Sequence, residues 1–491
     1  MPALVPAVTF DSLPLSPAHH QRLSWTLERL CEQPLLGLPS ALGSAGYKGL
    51  MRVLKETESE AISLLPPVFE ATRSALVKGE TLLCLEDTSD CIFGGSRGRK
   101  TLPRLEAKST GFRLHLSLLV RPGEMAQVVG VVALETVTRS EETKMGQTSQ
   151  QRYDDPDKES LRWQRAVRVS EARVAQLAFL VHVRDREGDD FAQMAEMLDN
   201  DQRFVQRLRQ PRALALHPDH APNARNTKEA FEGVRGEVWR DVTLGPRAQW
   251  KHDTRSKEDK AKYPPRPTRQ AKLSFAAQRL SLKRPDHVPN TVAASLELNV
   301  VRVWEENPPQ GQEPVEWWLL TTEPIDTLDQ VLWVIDAYRA RWLIEEFFKG
   351  MKTGCQYEKL QMEKVERLEQ MLAFYLPIVT QLLQLRTLAQ VKSDAPVSEV
   401  LSEEQVEALR AAHAFGCMRP PKNQPAPKTV NEALALVARL GGYLGKKGGA
   451  GWQVLLRGMV RLHGLTEGVK VGRQLKGPEA SKNGSKSTVP S

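Results

Sequence analysis

The chain has 491 residues, with 68 Lys and Arg against 60 Asp and Glu, giving a formal net charge of +8. That length exceeds what one hydrophobic core organises, so two to four domains are expected, and the mild basic excess permits a polyanionic partner without requiring one. The five cysteines, Cys31, Cys84, Cys91, Cys355 and Cys417, have no CxxC spacing and are odd in number, which argues against a disulfide-stapled secreted scaffold and for reduced thiols in a cytosol. Lys, Arg, Glu or Gln interrupts each apolar run before it is long enough to span a bilayer, and the N-terminus has no basic segment leading into an apolar one, so no signal peptide and no membrane partner are expected.

Residues 1–20 are Pro-rich, lack periodicity and read as disordered, with structure beginning near Arg22. Helical patterns broken by Gly and Pro follow over 21–78, carrying Lys48, Arg52, Lys55 and Arg73. At Thr81 the period changes. TLLCLED is a short apolar run ending on Asp87, and after the basic loop GGSRGRK come GFRLHLSLLV and MAQVVGVVALETV, expected as neighbouring strands of one sheet. A polar segment precedes a helix at 160–174, and LAFLVHVRD is a further apolar run ending on Asp185. Strand, strand, strand, helix, strand predicts an α/β domain. Residues 201–324 begin with RFVQR, cross a Lys/Arg-rich linker and end in strand-like stretches, so they read as a β-rich insertion. Helical periodicity returns over 327–392 and again after a Pro/Lys loop to about 470, and 471–491 form a Lys/Ser/Gly tail expected to be disordered.

Carboxylates at strand ends reach the rim of an α/β sheet, where open-sheet folds bind ligands, and Mg²⁺ as a hard cation takes oxygen donors. Asp87 and Asp185 are both so placed, although Asp is also a common turn or N-cap residue. A third acid comes from VIDAYRARWLIEEFFKGMKTG. On a helical projection, Tyr338, Arg341, Glu345, Lys349 and Lys352 fall within an arc of about 80°, opposite Leu343, Ile344, Phe347 and Met351. The ridge carries a phenol, an acid and three cations. A solvated charged face has the same pattern.

These residues also resemble a family. DTS at 87–89, DRE at 185–187 and YRARWLIEEFFKGMK at 338–352 are similar to the three blocks of bacterial cut-and-paste DDE transposases of the insertion-sequence-four family. The last block has the signature spacing Tyr338, Arg341, Glu345, Lys352, and the likeness extends over roughly residues 20–470 through ENPP, EWWLLTTEP and RFVQR. It implies that Asp87, Asp185 and Glu345 are catalytic and hold two Mg²⁺ ions, with Mn²⁺ as a substitute. It implies an α/β, ribonuclease-H-like catalytic domain (79–200 and 325–392) interrupted by the β-rich insertion (201–324). A helical DNA-binding domain (21–78) would precede it and a helical dimerisation region (393–470) would follow.

The implied activity is cleavage at the ends of a DNA element through a hairpin intermediate, then joining of the 3′ ends to target DNA, by a homodimer in a bacterial cytoplasm, associated with the nucleoid. Tyr338, Arg341, Lys349 and Lys352 would bind DNA beside the metals, Arg207 would contact the transferred end, and Trp317 would stack on a flipped base. The alternative for Trp317 and Trp318 is a strand pair with one ring buried, and for Arg207 a surface arginine. Lys48, Arg52 and Lys55 would recognise the element's ends or form a solvated face. The sequence departs from the family at Phe348, where a histidine is expected, and at Phe112 and Arg113, where tryptophans are expected. A catalytically idle DNA-binding remnant or inhibitor of transposition is the competing function, and a ribonuclease-H-like nuclease without strand joining is a third.

Overall fold

The strand β1 (Glu80–Ile92) sets the layering by simple alternation. Leu83 and Leu85 face one buried cluster, with Ile344, Phe347 and Met371, while Leu82 and Cys84 face another, with Leu119 and Val174. Both faces of the strand are therefore covered, as its nearly continuous apolar run requires. The computed structural model describes residues 8–94, 102–106, 109–123, 125–138, 155, 158–216, 224–244, 267–310, 312, 314–391, 394–414, 427–445 and 450–475. Most of the basic loop at 94–100, much of the polar segment before residue 160, most of the Lys/Arg-rich linker, Cys417 and residues 476–491 lie outside the described residues.

Around β1 is a ten-stranded mixed sheet. Its order is β2 (Arg104–Glu106), β3 (Ser109–Arg121), β1, β5 (Ala178–Arg184), β6 (Arg203–Arg207), β10 (Glu316–Thr321), β9 (Ser295–Glu305), β8 (Arg269–Lys283) and β7 (Glu237–Leu244), with β4 (Gln127–Val137) also paired to β3. β1, β5 and β6 are parallel, and the remaining pairings are antiparallel. The expected neighbours β1, β3 and β4 do pair, and the mixed α/β arrangement is compatible with a ribonuclease-H-like domain. The strands of the β-rich block at 201–324 continue this same sheet, because β6 pairs with β5 on one side and β10 on the other.

Helix α4 (Leu161–Val174) precedes β5, and α5 (Phe191–Asp199), capped by the Asp190 side chain on the backbone amides of Ala192 and Gln193, links β5 to β6. The N-terminal helices α1 (Pro17–Glu32), α2 (Leu38–Ser59) and α3 (Pro66–Ser74) share the main core cluster with the long helix α8 (Val365–Val391). Structure begins earlier than expected: Phe10 is fully buried, its ring 5.6 Å from Phe374, and Ser16 caps a helix that starts at Pro17. One apolar side chain with a partner outweighs the Pro-rich composition around it. By length and composition α8 alone among the described helices could cross a membrane, but 72% of its apolar window is buried inside the protein, as for a core helix. At the C-terminal end, α9 (Glu403–Ala414), α10 (Val430–Leu440) and α11 (Trp452–Leu475) form a second cluster around Leu409, Leu434 and Leu455, so residues 471–475 are helical rather than tail.

The segment 327–354 is not one continuous helix. Thr327 caps α6 (Leu328–Ala340) in a capping box with Gln330, the backbone tightens to i→i+3 bonds across Arg341, and α7 (Trp342–Lys349) opens into a π-helical turn at Gly350–Gly354.

Candidate active site

The parallel pairing of β1 with β5 ends at Glu86 opposite Arg184. Asp87 and Asp185 are the next residues along the chain on the two sides. Asp185 does stand just past a strand end, where it caps a short 3₁₀ turn (Arg186–Gly188) by accepting from the backbone N–H of Glu187 at 2.8 Å. Asp87 is not at a strand end, contrary to expectation: β1 continues to Ile92 because the antiparallel neighbour β3 carries it on, with Asp87 opposite Leu116. The Asp87 carboxylate accepts from the backbone N–H of Thr88 at 2.8 Å.

Glu345 arrives on α7, whose Ile344, Phe347 and Phe348 are buried against the core. Arg341 ties it to the sheet, with Nη1 3.3 Å from Asp87 Oδ2 and Nη2 2.5 Å from Glu345 Oε1. Burial works against the Arg341 charge, yet Tyr338, Glu345 and Asp87 hold its pKa above the usual arginine value. Burial, followed by the neighbouring Asp185 charge, pushes the Asp87 carboxyl up to about 7 despite Arg341. Two carboxylates, Asp87 and Glu345, thus share one guanidinium, and Asp185 is close enough to Asp87 for its charge to be felt there. The ligand atoms of the three acids are not all within 4.8 Å of one another, since Arg341 stands between Asp87 and Glu345.

Beside these groups opens a cavity of about 710 Å³ lined by Asp185, Arg207, Trp317, Tyr338 and Arg341. Tyr338 is buried, and its hydroxyl accepts from Arg207 Nη1 at 3.2 Å. Trp317 is half-buried and meets the Tyr338 ring edge-on at 5.4 Å between centroids. Trp318, on the opposite face of β10, packs edge-on against Phe231 at 5.3 Å and under Arg302. The basic ridge is more dispersed than a continuous helix would make it. Lys352 reaches the far part of β1, donating to Ser89 Oγ at 2.7 Å and to the Asp90 carbonyl, while Lys349 is exposed. Lys48, Arg52 and Lys55 are exposed on α2. Phe348 and Phe112 are buried, and Arg113 pairs with Asp90 and Glu159.

Two groups of residues went unrecognised in the sequence. Cys84, Glu86 and His182 form a trio with ligand atoms within 4.8 Å of one another, all fully buried on the other face of β1 and β5. Their register, Cys84 opposite His182 and Glu86 opposite Arg184, is the signal that only strand pairing reveals. His182 Nδ1 is 2.7 Å from Glu86 Oε1 and Nε2 is 3.1 Å from Glu171 Oε1. Burial opposes charge on this imidazole, but Cys84, Glu86 and Glu171 raise its pKa well above the usual value. With Arg184 Nε 3.6 Å from Glu86 Oε2, the cluster is a charge-compensated network whose histidine nitrogens are both engaged. The other is Arg162 with His115, which bond to Thr88 and Glu187 of the two acidic blocks.

Residues 185–378 match the family described as the transposase DDE domain. That span starts at Asp185 and contains Glu345; Asp87 precedes it. Among solved structures, the chain is similar to one from a piggyBac transposase synaptic complex with hairpin DNA, with a TM-score of 0.31 and 10% identity, over 89% of this chain. This chain spans 62% of that chain's length.

Proposed function

We propose that this chain is a DDE transposase of the insertion-sequence-four type, which cuts the ends of a DNA element and joins the 3′ ends to target DNA. The single observation that carries the proposal is the under-compensated set of Asp87 on β1, Asp185 just past the parallel β5, and Glu345 on a helix, with one arginine, Arg341, paired to Asp87 and Glu345 and lining the same cavity as Asp185. Three hard oxygen donors with a deficit of positive charge fit Mg²⁺ or Mn²⁺. The raised Asp87 pKa follows from its burial and then from the Asp185 charge, which Arg341 and the Thr88 amide only partly offset. Metal ions held there would activate a water and stabilise the leaving oxygen of an in-line displacement at phosphorus.

The remaining residues of the cavity have DNA-binding tasks. Arg207 and Arg341 offer guanidinium groups to phosphates, with Tyr338 positioned between Arg207 and the acids. The Trp317 face supplies a platform for a base displaced during hairpin formation, an aromatic surface backed by Tyr338. The freed 3′-hydroxyl would attack a phosphodiester of the opposite strand, closing the hairpin and expelling the 3′-oxygen of the flanking DNA; water would cleave the new bond and regenerate the 3′-hydroxyl, which would then attack a target phosphodiester and expel its 3′-oxygen. Lys349, Lys352 and the α2 stripe of Lys48, Arg52 and Lys55 extend the basic surface for DNA, and the C-terminal helices are assigned to dimerisation in the synaptic complex.

The test uses purified full chain, Mg²⁺ and DNA carrying the sequences that flank its own gene. Paired-end excision and joining are expected. Asp87→Asn, Asp185→Asn and Glu345→Gln should each reduce nicking to background while end binding persists. Normal nicking by any one of them would remove that residue from the catalytic set. A chain that binds ends but never nicks would instead be the idle remnant or inhibitor.

A further inference from the structure

The backbone hydrogen bonds that hold β1 to β5 stop one residue before the two aspartates. Beyond that point the strands carry side chains that repel each other, and something else must hold the two acidic segments in register. Arg162, in the first turn of α4 and only 7% exposed, lies across the gap. Its Nε donates to Thr88 Oγ1 at 2.9 Å, its Nη2 donates to Glu187 Oε2 at 2.9 Å, and its Nη1 donates to the Glu159 carbonyl at 2.8 Å. Thr88 and Glu187 are the residues whose backbone N–H groups bind Asp87 Oδ1 and Asp185 Oδ1.

We infer that Arg162 is a positioning residue that sets the spacing and orientation of Asp87 and Asp185, by clamping the two peptide segments whose amides hold those carboxylates. This rests on the assignment of the acids as the metal-binding set. A planar guanidinium with donors pointing in different directions spans two segments at once, which the ammonium of lysine cannot do. The Thr88 hydroxyl accepts from Arg162, so its own proton goes to His115 Nδ1, 2.9 Å away. His115 is fully buried, and burial followed by the Arg162 charge pushes its pKa well below the usual value, so the ring stays neutral and accepts that proton. Donation therefore runs outward from Arg162, to Glu187 on one side and through Thr88 to His115 on the other, and the Arg162 side chain reaches the acids only through the backbone amides of Thr88 and Glu187.

The experiment measures Mn²⁺ binding by the full chain, from the electron paramagnetic resonance signal of free Mn²⁺, alongside thermal unfolding. Asp87→Asn is the reference for loss of the site. Arg162→Met and Thr88→Val should each weaken Mn²⁺ binding by about tenfold or more, the scale for outer residues that orient metal ligands, with unfolding midpoints close to wild type. Thr88→Ser, which keeps the hydroxyl, should bind like wild type, and Arg162→Lys should behave like Arg162→Met. Wild-type affinity in both Arg162→Met and Thr88→Val, with binding lost in Asp87→Asn, would overturn the clamp and leave the metal site standing. Wild-type affinity in Asp87→Asn would overturn the assignment of the acids itself. Should Arg162→Met fail to fold, the Thr88 pair decides: equal affinity of Thr88→Val and Thr88→Ser contradicts the clamp.

Discussion

Glu86 and Asp87 are adjacent acids on one strand, and they have opposite surroundings. Glu86 points to the face covered by α4, fully buried, against His182 and Arg184. Asp87 points to the face shared with α7, 15% exposed, beside two further acids and one arginine. The first carboxylate has its countercharges inside the chain. The second has only Arg341, shared with Glu345, and under the proposed function this deficit is what separates a site that receives a cation from a structural ion network.

The contrast can be broken by exchanging charge for neutrality on each side. Glu86→Gln leaves the His182 and Arg184 charges buried without their partner, and should destabilise the fold by about 3–5 kcal/mol in urea unfolding. Asp87→Asn should do the reverse in the absence of divalent ions. The folded Asp87 pKa of about 7 lies above its ordinary value of 3.8, so stability is full below pH 4, falls as the pH rises toward 7, and is level above. Asparagine removes that fall. The variant should exceed wild type by roughly 2–4 kcal/mol at pH 8 and match it near pH 4, as unfolding curves at both pH values would show. A destabilised Asp87→Asn at pH 8 would mean that the acid is structural.

The same alternation separates the two tryptophans of β10. Trp317→Ala should weaken hairpin formation by about 1–3 kcal/mol, the worth of one stacked base, while first-strand nicking is retained in a gel assay of both steps. An equal fall in both steps would deny Trp317 a stacking role. Trp318→Ala, which removes the partner of Phe231, should instead lower the unfolding midpoint.

Much of this was legible in the sequence because it is local. The runs ending at Asp87 and Asp185 mark β1 and β5, and the period over 338–349 places Ile344 and Phe347 inward and Glu345 with Arg341 outward. What was not legible depends on pairing. β1 runs past Asp87 only because β3 offers it a partner up to Gly111, whereas the apolar run in the sequence ends at Asp87. The helical break at Arg341 and the π turn at Gly350–Gly354 rotate Lys352 away from the acids and onto Ser89, which a uniform period of 3.6 cannot anticipate. Arg162 carried no signal at all, since its partners Thr88 and Glu187 are 74 and 25 residues away. The family resemblance marked the acids and their signature, whereas the residues that hold them emerge only from the packing.

The most direct test of the central claim is an Mn²⁺ titration of the full chain bound to an element end, comparing wild type, Asp87→Asn, Asp185→Asn, Glu345→Gln and Cys84→Ser. High-affinity binding should be lost in each of the three acid variants and retained in Cys84→Ser. Binding that survives removal of the acids but disappears with Cys84→Ser would place the metal in the buried trio on the other face of the sheet, and would contradict the account.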